Sequence, residues 1–192
     1  MILFLTSNIG GYKKNNDVKE SAMFFSDNMF LSNLKKYIKN YNKFVLISAY
    51  PCDYEKNDLY LKLDTDATKL SGMNFNEYIV VDNRNKMDVK SILKDCDLII
   101  LSGGNTKIQN KFFEEIDLKE HLKLFNGVIV GISAGSINSA TNVYDSPETK
   151  EDLNISPYLN GLGLTDINVE PHFKLNELDS EDKILSRNSI LK

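Results

Sequence analysis

The sequence predicts an α/β fold with a doubly wound, mostly parallel sheet that carries helices on both faces. Two observations lead to this prediction. Five short runs are rich in Ile, Val, Leu and Phe without polar alternation, which is typical of strands buried on both faces. Longer stretches with helical periodicity separate them, so that strand and helix alternate four or five times. Such alternation indicates an open sheet, and right-handed crossovers then place helices on both faces.

The five predicted strands each hold four to six residues and lie within the first 132 residues of the chain. Their bounds are Met1–Leu5, Lys43–Ser48, Tyr78–Val81, Asp97–Leu101 and Val128–Ile132.

Two helices are predicted from apolar residues that recur with helical spacing. The first covers about Lys19–Asn40, and the second covers about Lys107–Phe125, with Asn126-Gly127 as its stop signal. Thr141–Asn160 is polar and rich in turn residues, which favours a loop at the active face. A final strand is expected at Leu164–Val169, followed by a helix from about Ser180.

Composition limits the classes of protein to which the chain can belong. With 192 residues, 42% of them hydrophobic and 26% charged, residues 1–192 are expected to form a single α/β domain. A net charge of −4 offers no basic surface for nucleic acid or an anionic membrane. No apolar run is long enough to span a bilayer, and the N-terminal run lacks the basic segment of a secretion signal. Cys52 and Cys96 are isolated, which favours a reducing cytoplasm.

Glycine-rich turns follow the last two of the five predicted strands. The fifth strand ends in GISAGS at 131–136, a G-x-S-x-G pattern that places Ser133 on a sharp strand-to-helix turn and exposes its hydroxyl. The fourth strand ends in LSGGNT at 101–106. The backbone N–H of Ala134, with that of Gly103 or Gly104, could stabilise an oxyanion. An ordinary tight turn is the alternative at each place, and neither turn matches a P-loop or dinucleotide pattern.

A nucleophilic serine needs a base, and the chain has two histidines. His121 lies in the charged helical stretch LKEHLKLF, where a solvated helix residue is expected. His172 lies in EPHF at 170–173, directly after the predicted strand Leu164–Val169. Because strand ends of a parallel sheet meet at one edge, His172 is the better candidate for the base.

In this order, the segments LSGGNT, GISAGS and EPHF resemble the peptidase E (aspartyl dipeptidase) family of serine peptidases, family S51. The resemblance spans nearly the whole chain. It implies a flavodoxin-like sheet of the kind found in class I glutamine amidotransferases. It also implies that Ser133 is the nucleophile, that His172 is the base, and that Gly103, Gly104 and Ala134 form the oxyanion hole.

The sequence departs from the family pattern in two places. Position 136 is serine where the family usually has alanine. No late segment matches the family's glutamate that orients the histidine, so we expect the chain to lack a C-terminal segment. Asp145 is the best available substitute for that carboxylate, and Glu177 is a second choice.

The resemblance implies a serine-type exopeptidase or dipeptidase that acts on small peptides, with an N-terminal Asp as the favoured residue. Binding that side chain needs a cation, for which Lys183 and Arg187 are candidates, and Asn105 beside the glycine turn is a further substrate-binding candidate. No cofactor and no metal are expected, and the chain is expected to be a monomer or homodimer. The alternative is a catalytically degenerate binding or regulatory domain on the same scaffold. A glutamine amidotransferase would need cysteine in place of Ser133.

Overall fold

The computed structural model describes residues 1–16, 18–145 and 156–169. Nine strands are assigned in these ranges: β1 Ile2–Thr6, β2 Gly10–Asn15, β3 Val18–Phe24, β4 Lys43–Ile47, β5 Glu77–Val81, β6 Leu98–Leu101, β7 Val128–Ile132, β8 Asn142–Tyr144 and β9 Tyr158–Asn160. The α-helices assigned there are α1 Phe30–Tyr37, α2 Tyr54–Leu70, α3 Val89–Ile92, α4 Thr106–Glu115, α5 Leu118–Leu122 and α6 Ala134–Ile137.

Five of the strands form a fully parallel sheet in the order β1-β7-β6-β4-β5. These are the five strands that the sequence predicts, with ends that differ by at most one residue. The chain winds from β4 outward to β5, crosses back to β6 on the other side of β4, and continues to β7. Strand order therefore reverses between β4 and β6, where the carboxyl ends of a doubly wound sheet open a crevice.

The sheet is buried on both faces. Val45, Ile47 and Ile99 point into one apolar cluster, and Phe44 and Leu46 point into a second cluster on the opposite face. All five side chains are at most 2% exposed. This double burial explains the unbroken apolar runs in the sequence and confirms the predicted doubly wound α/β architecture.

The predicted helix over Lys19–Asn40 is wrong in its first half. Val18–Phe24 is instead β3, which pairs antiparallel with β2, and the helix is limited to Phe30–Tyr37. The β2–β3 hairpin packs on α2 and buries Phe24 there, so apolar residues of a short strand had resembled one face of a helix. Met29, with φ 59°, separates the hairpin from α1.

Three other predicted elements differ from the structure. Lys107–Phe125 is divided into α4 and α5 because Asp117 adopts φ 49°. Leu164–Val169 is not a strand, since in this segment only Thr165 forms a bridge, with Ala140. Thr141–Asn160 begins and ends in the paired strands β8 and β9 instead of being loop throughout. The helix expected from about Ser180 lies outside the described residues.

The helix α2 was not predicted, although it is 17 residues long. Asp53 caps its first turn by accepting a hydrogen bond from the Lys56 N–H at 3.2 Å. The helix packs against the sheet on one side and the β2–β3 hairpin on the other, so its apolar residues do not form one clean stripe. In the part of the chain that the structure describes, no helix combines the length and apolarity needed to cross a membrane.

Candidate active site

A pocket of about 460 Å³ opens at the carboxyl edge of the sheet, where strand order reverses. Its floor is formed by the turns that follow β1, β4, β6 and β7, and its walls are α2 and the start of the β2–β3 hairpin. Ser133, Gly103 and Gly104 all line it. The two glycine-rich turns that the sequence singled out therefore meet in one pocket.

Ser133 occupies the sharp turn between β7 and α6, as the G-x-S-x-G pattern predicts. Its φ of 50° and ψ of −110° lie in a region that residues with a side chain rarely adopt. The Ser133 N–H donates to the Thr6 carbonyl oxygen at 2.8 Å, which fixes the turn to the end of β1. Strained backbone of this kind is stored mainly at functional sites.

The two glycines that flank Ser133 are required by close packing. A Cβ on Gly131 would lie 2.7 Å from the Ser136 nitrogen, and a Cβ on Gly135 would lie 2.2 Å from the Leu101 carbonyl oxygen. Both distances are shorter than real Cβ contacts allow. The start of α6 therefore sits directly on the ends of β6 and β7, and this contact holds Ser133 at the rim of the pocket.

Ser136, the residue that departs from the family pattern, joins the turn to the edge strand β1. Its buried hydroxyl accepts from the Thr6 N–H at 2.9 Å, and the carbonyl oxygens of Thr6 and Gly131 each lie 2.8 Å away as acceptors. The Thr6 hydroxyl also donates to Gly131, at 2.7 Å. Serine at this position thus adds hydrogen bonds that alanine could not make, and it leaves the position of Ser133 intact.

Three backbone N–H groups of the two glycine-rich turns have no hydrogen-bond partner within the described ranges. They belong to Gly103, Gly104 and Ala134. A Cβ on Gly103 would lie 3.6 Å from the Ser133 Cβ, so this turn runs directly beside the serine. Unpaired N–H groups near a nucleophile are what an oxyanion hole is made of.

The wall opposite Ser133 is held by a buried polar network. The Ser48 hydroxyl donates to Asn57 at 2.7 Å and accepts from the Tyr50 N–H at 2.9 Å. The Asn57 amide donates in turn to Asp82, a fully buried carboxylate that Arg84 pairs at 2.7 Å. These hydrogen bonds therefore fix the turn after β4, which carries Tyr50 into the pocket.

Sequence reasoning missed the part of the pocket wall that α2 provides. Lys56, Asn57, Tyr60 and Asp64 line the pocket from successive turns of this helix. The Lys56 Nζ lies 3.6 Å from the centroid of the Tyr50 ring. Asp64 is 8% exposed, and burial raises the pKa of its carboxyl to about 7. A polar residue flanked by Leu61, Leu63 and Ala67 is the one sequence signal that could have marked Asp64.

The other predicted site residues are placed as follows. Asn105 caps α4, and its side-chain oxygen accepts from the Ile108 N–H at 2.9 Å. Asp145 follows β8, is half-buried, and lies 3.6 Å from the Lys107 Nζ. His121 is on α5 beside Asp95 and Asn126, which precede β6 and β7, so it lies at the amino edge of the sheet, away from Ser133. His172, Glu177, Lys183 and Arg187 lie outside the described residues.

Comparison with solved structures returns peptidases of the same fold. One is described as a peptidase E protein from Listeria monocytogenes EGD-e, with a TM-score of 0.60, 18% identity, and coverage of 96% of this chain and 86% of that one. Another is a peptidase from an acI-B1 Actinobacterium, with a TM-score of 0.62, 19% identity, and coverage of 95% of this chain and 74% of that one. Among curated proteins, none matches the sequence.

The sequence also matches a model of a protein family. The model for peptidase family S51 matches residues 25–189, which includes both glycine-rich turns and all but the first strand of the parallel sheet. The match agrees with the resemblance carried by LSGGNT, GISAGS and EPHF. The chain belongs to peptidase family S51.

Proposed function

We propose that the protein is a serine-type peptidase that hydrolyses small peptides from a free N-terminus, with Ser133 as nucleophile. The observation that carries this proposal is the strained Ser133 turn, near which three N–H groups have no partner in the described part of the chain. A binding domain needs neither the strain nor the unpaired donors. Membership of a peptidase family supports the proposal of a peptidase.

In the proposed mechanism, the Ser133 hydroxyl attacks the carbonyl carbon of the peptide bond while His172 accepts its proton. The N–H groups of Ala134 and of Gly103 or Gly104 stabilise the negative charge on the tetrahedral intermediate. His172 then protonates the leaving amine, and water hydrolyses the acyl-enzyme ester. His121 does not compete for the role of base because it lies at the opposite edge of the sheet.

The size and charge of the pocket support a small peptide with an acidic first residue. A volume of about 460 Å³ is in the range of pockets for small molecules and does not suit a folded protein chain. Lys56 lines this pocket and could bind the Asp side chain of the substrate as an ion pair. Lys183 and Arg187, the cations favoured by sequence, remain predictions.

The carboxylate that orients His172 also remains a prediction. Asp145 is the candidate in the described part of the chain, and Glu177 is the other candidate. Loss of such a carboxylate lowers turnover by roughly 10⁴ in serine peptidases because the histidine spends time in the wrong tautomer. Turnover of Asp145→Asn and Glu177→Gln would therefore identify the orienting residue, if either fills the role.

The test is hydrolysis of a panel of X-Leu dipeptides and X-p-nitroanilides. We expect Asp-X substrates to be cleaved, and Ser133→Ala and His172→Ala each to lose the activity because the two residues act as a unit. His121→Ala is the matched control and should retain full turnover. The pH–rate profile should show a limb near the roughly 6.5 expected for a histidine base.

The outcomes separate the two functions that the sequence left open. Cleavage of other peptides only would keep the mechanism and reject the aspartyl preference. Unchanged cleavage by Ser133→Ala would reject the nucleophile. Peptide binding without cleavage by the wild-type protein would favour the catalytically degenerate binding domain.

A further inference from the structure

Asp64 is a buried acidic residue of the candidate active site. It lies in the second half of α2, lines the same pocket as Ser133, and has 8% of its surface exposed. Among the residues that the structure describes, none donates a hydrogen bond to its side chain or forms an ion pair with it. Desolvation alone accounts for its raised pKa.

The neighbouring acidic residues of α2 do not share this condition. Asp58 forms an ion pair with Arg84 at 2.6 Å. Asp66 accepts hydrogen bonds from Ser21 at 2.9 Å and from Lys62 at 2.8 Å. Each of these carboxylates has a structural partner, so its presence is explained by the fold. Asp64 has no such partner among the described residues and caps no helix end, and an unpaired buried carboxylate in a pocket marks a candidate ligand-binding residue.

The surroundings of Asp64 favour a cation as that ligand. A desolvated carboxylate can only accept hydrogen bonds, and an ammonium group supplies both three donors and the opposite charge. Tyr12 and Tyr60 line the same side of the pocket, and the Lys19 Nζ already lies 4.7 Å and 4.1 Å from their ring centroids. A metal ion would need further ligands, and no cluster of His, Cys, Asp or Glu among the described residues could provide them.

The helix α2 gives the pocket two ends of opposite charge. Lys56 and Asp64 are eight residues apart on one helix, which corresponds to roughly 12 Å along its axis. Asn57, Tyr60 and Asp64 follow one another at helical spacing and all line the pocket. A short peptide with an ammonium group at one end and a carboxylate towards the other complements this arrangement.

We propose that Asp64 binds the ammonium group of the peptide substrate and so makes the site selective for a free N-terminus. This inference deepens the proposed peptidase function and rests on it for the identity of the ligand. Substrates with a blocked N-terminus would leave Asp64 buried and unpaired in the complex. They would therefore bind less well.

The test measures ligand binding by calorimetry in the Ser133→Ala background, so that no ligand is cleaved. The ligands are Asp-Leu, its desamino analogue succinyl-Leu, and N-acetyl-Lys-Leu, whose only ammonium is on the side chain. We expect Asp-Leu to bind about ten- to a hundredfold more tightly than succinyl-Leu. Addition of Asp64→Asn should abolish this preference. Asp66→Asn, which removes the same charge from the same helix outside the pocket, should preserve it.

Each outcome bears on the proposal. Equal binding of Asp-Leu and succinyl-Leu, a preference that survives Asp64→Asn, or no binding of any ligand would overturn it. Tight binding of N-acetyl-Lys-Leu that Asp64→Asn abolishes, without a preference for Asp-Leu, would replace the N-terminal ammonium by a side-chain ammonium. Amine-dependent binding without hydrolysis by the wild-type protein would reject the peptidase function and keep Asp64 as the ammonium site.

Discussion

Replacement of Asp64 by Asn should stabilise the protein in a manner that depends on pH. Burial raises the pKa of the Asp64 carboxyl from 3.8 to about 7. Below pH 3.8 the carboxyl is protonated in both the folded and the unfolded state and does not affect their balance. As the pH rises towards 7, the unfolded chain loses this proton and the folded chain keeps it, so the free energy of unfolding falls. Above pH 7 this deficit in the free energy of unfolding is constant.

The size of this deficit follows from the two pKa values. The interval between 3.8 and about 7, at roughly 1.36 kcal/mol per pH unit, corresponds to about 4 kcal/mol. Asp64→Asn removes the titrating group, and its buried amide changes the free energy of unfolding by an amount that does not depend on pH. The difference in free energy of unfolding between variant and wild type should therefore grow by about 4 kcal/mol between pH 4 and pH 7.5.

Urea unfolding at a series of pH values measures this difference directly. Asp66→Asn is the matched control, with the opposite sign: hydrogen bonds from Lys62 and Ser21 lower the pKa of Asp66. Its carboxylate stabilises the fold above the ordinary pKa of Asp, and the variant should lose that stability as the pH rises. A difference between Asp64→Asn and wild type that stays constant across the series would show that Asp64 titrates normally, and would refute the argument.

Three further changes test the packing of the Ser133 turn. Ser133→Gly should abolish hydrolysis yet raise the free energy of unfolding by roughly 1 kcal/mol, because glycine relieves the strained φ of 50°. Calorimetry measures this change, with Ser133→Ala as the control, whose Tm should stay within a few degrees of wild type. Gly135→Ala should destabilise the fold by roughly 3 kcal/mol, because its Cβ would lie 2.2 Å from the Leu101 carbonyl oxygen. A free energy of unfolding in urea equal to that of the wild type would contradict this close contact. Ser136→Ala, which restores the usual family residue, should cost about 1–3 kcal/mol because the Thr6 N–H loses its partner; an unchanged free energy of unfolding would show that the bond contributes nothing.

The sequence was informative where one local pattern decides the structure. Val128–Ile132 has no polar residue, which is typical of a strand covered on both faces, so both the strand and its double burial were predictable. The glycines at 131 and 135 mark a close approach of backbone, and this identified the Ser133 turn. Both inferences rest on patterns of a few residues along the chain.

Prediction failed where distant contacts decide the structure. Val18–Phe24 pairs with β2 and packs on α2 through the buried Phe24, and the same residues would have suited a helix equally well. Asp64 could not be recognised as a site residue for the same reason. A single acid in a helix is usually solvated, and its burial beside Ser133 becomes visible only once α2 has packed over the ends of the strands.

We propose above all that Ser133 is an activated nucleophile. Incubation of the protein with a fluorophosphonate, followed by mass spectrometry of the digested chain, tests it without knowledge of the substrate. Activation by His172 and the unpaired N–H groups predicts one phosphonyl group per chain, on Ser133, with labelling lost in His172→Ala and retained in His121→Ala. A folded protein that remains unlabelled, or that is labelled at another residue, would contradict the account.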